Sequence, residues 1–196
     1  MLGTINYYQD NSIDLIERYN NADMSSLHQL LNNHLDKPSK VLDIGFGSGR
    51  DLEFLYNAGH NIWGIDATKS FVENAKKKFP DISTHFIQAS LPFKSLFINT
   101  KFDSVISIAM WMHLKKEDYC KSVESITKLL NKNATIVISF SRGKRNNDER
   151  YFEDVDIEYL NQLFLDKGFK TIEQIETKDA LKRDTLSWIT LVYKND

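Results

Sequence analysis

From Lys40 onward, short apolar runs alternate with amphipathic stretches three or more turns long, and this alternation limits the fold more than any other feature. "KVLDI", "NIWGID", "THFIQA", "FDSVISIAM" and "ATIVISF" read as strands. Between them "RDLEFLYNAG", "TKSFVENAKKKF", "KEDYCKSVESITKLLN" and "DIEYLNQLFLDKG" read as helices. Phe71, Val72, Ala75 and Phe79 share one helical face, and Pro80 stops that helix. Gly59 and Gly168 close two of the others. Strand–helix–strand units imply right-handed crossovers and a parallel sheet covered on both faces. Only the loop "TKDALKRDTL" separates the last two runs, "FKTIEQIE" and "SWITLVYK". It is too short for a helical crossover, so these strands should pair antiparallel. The expected class is α/β: a doubly wound, seven-stranded, mostly parallel sheet with the last strand reversed.

The residues before Lys40 are helical in pattern. "YYQDNSIDLIERYN" forms a first stretch, and "DMSSLHQLLNNHL" places Leu27, Leu30, Leu31 and Leu35 at helical spacing. Asp23 or Ser25 is the candidate N-cap, and Pro38 ends the stretch. At 196 residues with 41% hydrophobic content, the chain reads as one domain, with cap helices over 1–37 and a core over 38–196.

Composition excludes several classes. A net charge of −2 and a pI of about 6.2 leave no electrostatic footprint for bulk nucleic acid or anionic lipid. The single cysteine, Cys120, excludes an internal disulfide framework and a Cys-cluster metal site, and points to a reducing, cytoplasmic setting. No run of about 18 apolar residues suggests a membrane span. The start, "MLGTINYYQDNSID", lacks the basic-then-apolar pattern of a secretory leader. His28, His34, His60 and His85 share no ligand spacing, so no metal is expected. A monomer and a homodimer fit equally.

The segment "KVLDIGFGSGRD" carries the chemistry. Gly45, Gly47 and Gly49 follow a buried strand that contains one acid, Asp43. There is no G-x-x-x-x-G-K-[ST], so this is not a P-loop. Counting from Gly45, the sixth position is Arg50, so the dinucleotide pattern G-x-G-x-x-G also fails. An acid at a strand tip is badly placed for a pyrophosphate and well placed for a cation. The second strand ends in another acid, Asp66, suited to the two hydroxyls of a ribose. A nucleoside with a cationic tail and no phosphate matches both acids, and S-adenosylmethionine has that chemistry.

With "VLDIGFGSGRD", "GHNIWGID", "IQASLPF", "FDSVISIAMWMHL" and the reversed final strand, the chain resembles the class I S-adenosylmethionine-dependent methyltransferases, over roughly Leu35 to Asn195. The resemblance implies a Rossmann-like core and a cofactor site that can be carried over by position. Asp43, Gly45 and Gly47 would lie under the methionine part, with Gly49 allowing close helix packing. Asp66 would hold the ribose, with Ala67 beside it. Ala89, Ser90 and Leu91 would border the adenine. Many relatives place an acid there, whereas "QASLPF" offers Ser90 or a backbone carbonyl. Ile108 and Ala109 would face the sulfonium. Tyr19, and with it Arg18, would close the site from the N-terminal helices, which look like the cap of small bacterial members.

For the acceptor, His113 could serve as a general base, although a histidine there more often positions the cofactor or caps the next helix. Trp111 and Met112 could form an apolar wall or ordinary core. Arg142, Lys144, Arg145 and Arg150 could recognise an anion, although Asp148, Glu149, Glu153 and Asp154 among them fit a solvated loop as well. Arg183 and Asp184 fit an internal ion pair or a substrate contact. The cap and the absence of a basic face imply a small-molecule acceptor. An RNA or protein methyltransferase, a non-catalytic cofactor-binding module and a nicotinamide-dependent oxidoreductase remain the competing readings.

Overall fold

The computed structural model describes residues 2–93, 100–143, 145, 148–179, 183 and 185–196. Seven strands form one sheet: β1 (Lys40–Ile44), β2 (Asn61–Asp66), β3 (Phe86–Gln88), β4 (Phe102–Ile108), β5 (Leu130–Gly143), β6 (Phe169–Lys178) and β7 (Leu186–Asn195). Their order is β3-β2-β1-β4-β5-β7-β6. β7 runs antiparallel to both its neighbours, while β1 to β5 pair parallel. The chain leaves β1 toward β2 on one side and returns through β4 on the other. The crevice of such a sheet therefore opens at the tips of β1 and β4.

Both faces are covered, which explains the unbroken apolar runs. Successive residues of a strand point to opposite faces. Leu42, Val105, Ile136, Ile138 and Phe140 pack on one side with α6 (Tyr119–Thr127) and α7 (Ile157–Leu165), through Tyr119, Val123, Leu160 and Phe164. Val41, Ile62, Ile106 and Val137 pack on the other side with α3 (Ser25–His34), α4 (Arg50–Asn57) and α5 (Lys69–Lys78), through Leu31, Leu52, Leu55 and Phe71. Fully burying one such side chain contributes about 1.5–3 kcal/mol.

The N-terminal stretch differs from its expectation. It is two helices, α1 (Leu2–Asp10) and α2 (Ser12–Asn20). The break falls at Asn11, whose side-chain amide donates to the Tyr7 carbonyl at 2.8 Å and competes with the helical pattern. α3 begins where Asp23 Oδ1 accepts the Ser25 N–H at 2.9 Å. β5 also runs on past the apolar run "ATIVISF", because Ser141, Arg142 and Gly143 pair with Trp188, Ser187 and Leu186 of β7. Among the described residues no helix is long and apolar enough to cross a membrane.

Candidate active site

A cavity of about 600 Å³ lies between the tips of β1, β2, β4 and β5 and the cap formed by α1, α2 and the start of α3. Its floor is the β1 tip. Asp43 is 2% exposed, and its Oδ1 has no hydrogen-bond partner among the described residues. Burial raises its pKa well above the ordinary carboxylate range; the charges of Asp51 and Asp66 add to this, and Arg50 opposes it. Beside it, Gly45 donates to the Ile65 carbonyl at 2.8 Å. A Cβ on Gly45 would sit 2.7 Å from Met110 Cγ, so a side chain is barred there by the β4 tip itself. Gly47, at φ +54°, is different: nothing lies within 4 Å of a Cβ built on it, and it borders the cavity. Gly49 caps α4 from a left-handed conformation and lies outside the cavity lining.

Asp66 holds this loop in place. Its Oδ2 accepts the Gly47 N–H at 2.9 Å and its Oδ1 accepts the Thr68 N–H at 2.8 Å. Burial raises its pKa against those two bonds. A carboxylate has about four acceptor positions, so two stay available toward the cavity. Ala67, Ala89, Ser90, Leu91, Ile108 and Ala109 all border the cavity. Ala109 adopts φ +62°, held by its N–H bond to the Ser139 carbonyl at 2.8 Å. Tyr19 and Arg18 reach the cavity from α2. At the cap side, burial pushes Asp51 up, but hydrogen bonds from His28 and the charge of Arg50 outweigh it and bring it to about 2. Arg50 also donates to the Tyr19 carbonyl at 3.1 Å, which ties α2 to α4.

Farther along, His113 sits at the centre of a polar network. Its Nδ1 lies 2.7 Å from the Tyr151 carbonyl, which can only accept, so Nδ1 carries the hydrogen. Nε2 then accepts the Tyr8 hydroxyl at 2.9 Å. Burial, with the nearby Arg150 and Arg145 charges, pushes the imidazole down to about 4, against the Tyr151 carbonyl and Asp148. Arg150 Nη1 donates to the Tyr8 oxygen at 3.2 Å. Burial, with the neighbouring Tyr19, raises the Tyr8 pKa far above its usual value, so Tyr8 keeps its proton. Thr4 Oγ1 accepts the Tyr151 N–H at 2.9 Å and fastens α1 to the loop after β5.

Two expected acceptor contacts are corrected. Trp111 is fully buried and packs against Tyr119 and Phe164, with centroids 5.5 and 6.1 Å away. It turns away from the cavity, because the one-turn helix over 111–113 directs it into the core. Met110, Met112 and Leu114 supply the apolar wall. Arg142 belongs to β5, points to solvent 3.8 Å from Asp154, and does not line the cavity. Arg145 and Arg150 do line it. Arg183 pairs with Asp179 and lines it too. Lys144 and Asp184 lie outside the described residues. Sequence reasoning missed Tyr8, whose partner His113 is 105 residues away, and also Phe152 and Asp179, which carry no motif. Among the described residues no group of three or more His, Cys, Asp or Glu side chains could hold a metal ion.

Comparison with known proteins agrees with this geometry. Residues 41–133 match the family model of a methyltransferase domain. An uncharacterized methyltransferase of Alkaliphilus oremlandii is 26% identical over 145 residues, covering 72% of this chain and 61% of that protein. One from a Geobacillus species is 27% identical over 154 residues, covering 67% and 70%. One from Bacillus cytotoxicus is 27% identical over 99 residues, covering 50% and 45%. The chain thus spans about half to two-thirds of the length of these relatives. Among solved structures, the 1,6-didemethyltoxoflavin-N1-methyltransferase of Burkholderia thailandensis has a TM-score of 0.75 at 16% identity, covering 100% of this chain and 88% of that one. The magnesium protoporphyrin IX methyltransferase of Synechocystis has a TM-score of 0.72 at 18% identity, covering 97% and 94%. At such identities the structures establish a shared fold. In sequence over residues 41–133 and in fold, the chain is similar to S-adenosylmethionine-dependent methyltransferases.

Proposed function

We propose that the protein binds S-adenosylmethionine at the β1 and β2 tips and transfers its methyl group to a small-molecule acceptor. The observation that carries this is the buried, unpartnered Asp43 Oδ1 beside the open space at Gly47. An acid left unpaired in a low-dielectric site favours a cationic partner. The two solved structures named above contain S-adenosylhomocysteine and S-adenosylmethionine, respectively. When bound, S-adenosylmethionine supplies a methyl group already activated by its sulfonium.

The chain's own residues bind, orient and exclude water. Asp43 would hold the ammonium and Asp66 the ribose hydroxyls; Ala89, Ser90 and Leu91 would border the base. A strong anion beside the reacting sulfur would stabilise the ground state more than the transition state, so both acids serve binding. Met110, Met112 and Leu114 keep the centre dry, and the cap covers it. Where the acceptor must lose a proton, the Tyr8 oxygen can take it while the Tyr8 hydrogen passes to His113 Nε2, whose lone pair already faces it. His113 is neutral at ordinary pH, so Nε2 is free to accept, although its lowered pKa makes it a weak base.

The acceptor is read as small because the cap helices lie over the cavity and the chain carries a net charge of −2. Transfer of radiolabelled methyl from S-adenosylmethionine into fractionated lysate tests this. Label in small metabolites is the expected result. Label in RNA or protein would overturn the acceptor class, and cofactor binding with no label in any fraction would mark a non-catalytic module.

A further inference from the structure

The cavity continues past the β4 tip into a half lined by Phe152, Ile175, Trp188 and Thr190, none of them among the residues proposed to hold the cofactor. Three arginines face it. Two are matched by acids. Asp148 accepts from Arg150 Nε at 2.8 Å and from Nη2 at 2.6 Å. Asp179 accepts from Arg183 Nε at 2.9 Å and from Nη2 at 2.6 Å, and also from Trp188 Nε1 at 2.6 Å. Arg145 has no carboxylate partner among the described residues. It donates to the Ser141 hydroxyl, its guanidinium lies 3.9 Å from the centre of the Phe152 ring, and its buried Nε has no acceptor. Burial and the charges of Arg183 and Arg150 depress its pKa. An unmatched buried donor beside like charges is a local conflict that an anion would remove.

We infer that Arg145 anchors a single carboxylate of the methyl acceptor, with Phe152 under the guanidinium plane. This rests on the proposed function, since it assigns a second ligand to a cavity shared with the cofactor. Charge counting selects a monoanion. Asp148 and Asp179 neutralise two of the three arginines, which leaves one inward positive charge; Lys178 stands at the exposed rim. A doubly charged phosphate would keep an uncompensated negative charge near two aspartates. A planar carboxylate also suits the fork of a guanidinium held flat by an aromatic ring. The carboxylate of the cofactor is a poor candidate. Arg145 follows β5, two strand spacings from the β1 tip through β4, a lateral separation of roughly 10 Å.

The test is a titration followed by arginine side-chain NMR and calorimetry, with S-adenosylhomocysteine binding measured separately on every protein. The probes are benzoate, phenylacetate and octanoate, their three amides, and phenyl phosphate. At millimolar concentration at least one carboxylate should shift the Arg145 Nε–H signal saturably, and its amide should not. Arg145→Gln should weaken that carboxylate at least tenfold and leave S-adenosylhomocysteine affinity in place. Arg142→Gln, outside the cavity, should leave both affinities unchanged. The inference is overturned if amides bind as well as acids, if no carboxylate moves the Arg145 signal in the wild-type protein, if Arg145→Gln binds carboxylates undiminished, or if phenyl phosphate binds tighter than benzoate. Loss of S-adenosylhomocysteine binding in Arg145→Gln would assign the arginine to the cofactor instead. Carboxylate binding that depends on Arg145 in a wild-type protein that fails to bind S-adenosylhomocysteine would sustain this inference and defeat the cofactor reading.

Discussion

Burial makes Asp43 the costliest ionised side chain at the cofactor end of the cavity, and its sign is informative. Its folded-state pKa lies above its unfolded value, so in the free protein its ionisation reduces stability. That cost is absent below the unfolded pKa, grows as pH rises from there to the folded pKa, and is constant above it. Asp43→Asn should therefore raise the melting temperature of the free protein at neutral pH while weakening cofactor binding. A drop in both would show that the acid is structural. A bound ammonium favours the charged acid, so binding should release a proton wherever Asp43 is protonated in the free protein. Calorimetry in buffers of different ionisation enthalpy reads that release, and Asp43→Asn should lack it. Gly47→Val fills the open space at φ +54° and should abolish binding with a modest loss of stability; retained affinity would mean that no ligand approaches the loop there. Asp43 and Asp66 were legible because a motif fixes them locally. Tyr8 was not, because its role depends on His113, 105 residues away; nor was Asp179, whose bonds to Arg183 and Trp188 depend on how the loop between β6 and β7 folds back.

At the level of elements, strands and helices were legible because both periodicities are strong, and the reversed β7 followed from loop length alone. What was not legible was direction within short turns. The turn over 111–113 sends Trp111 inward and Met112 and His113 toward the cavity, and no sequence period marks that choice. Trp111→Ala should cost about 3–5 kcal/mol of stability, as for other large core aromatics, with S-adenosylhomocysteine affinity nearly unchanged in the folded protein. Chemical denaturation with calorimetry measures both. A stable variant with impaired acceptor binding would restore Trp111 to the cavity wall. The Asn11 break likewise depends on a side chain capturing a backbone carbonyl, which helical spacing does not report.

On the scale of the whole molecule, the sheet supplies the tips and the cap deepens an open crevice into a cavity. Thr4, Tyr8 and Tyr19 each bond across from cap to core. The depressed pKa of His113 depends on that covering, since burial is its largest cause. Between pH 6.5 and about 4 the unfolded state takes a proton that the folded imidazole refuses, so this group withdraws stability as pH falls through that window. By NMR, His113 should titrate near pH 4; a midpoint near the unperturbed value of about 6.5 would mean that the cap stands open in solution. The central claim is that carboxylates at two neighbouring strand tips hold a sugar-linked cation. A crystal structure with S-adenosylhomocysteine tests it most directly. It should show the amino group of the ligand at the Asp43 end of the cavity and both ribose hydroxyls on Asp66. A ligand seated elsewhere, with those two side chains untouched, would contradict it.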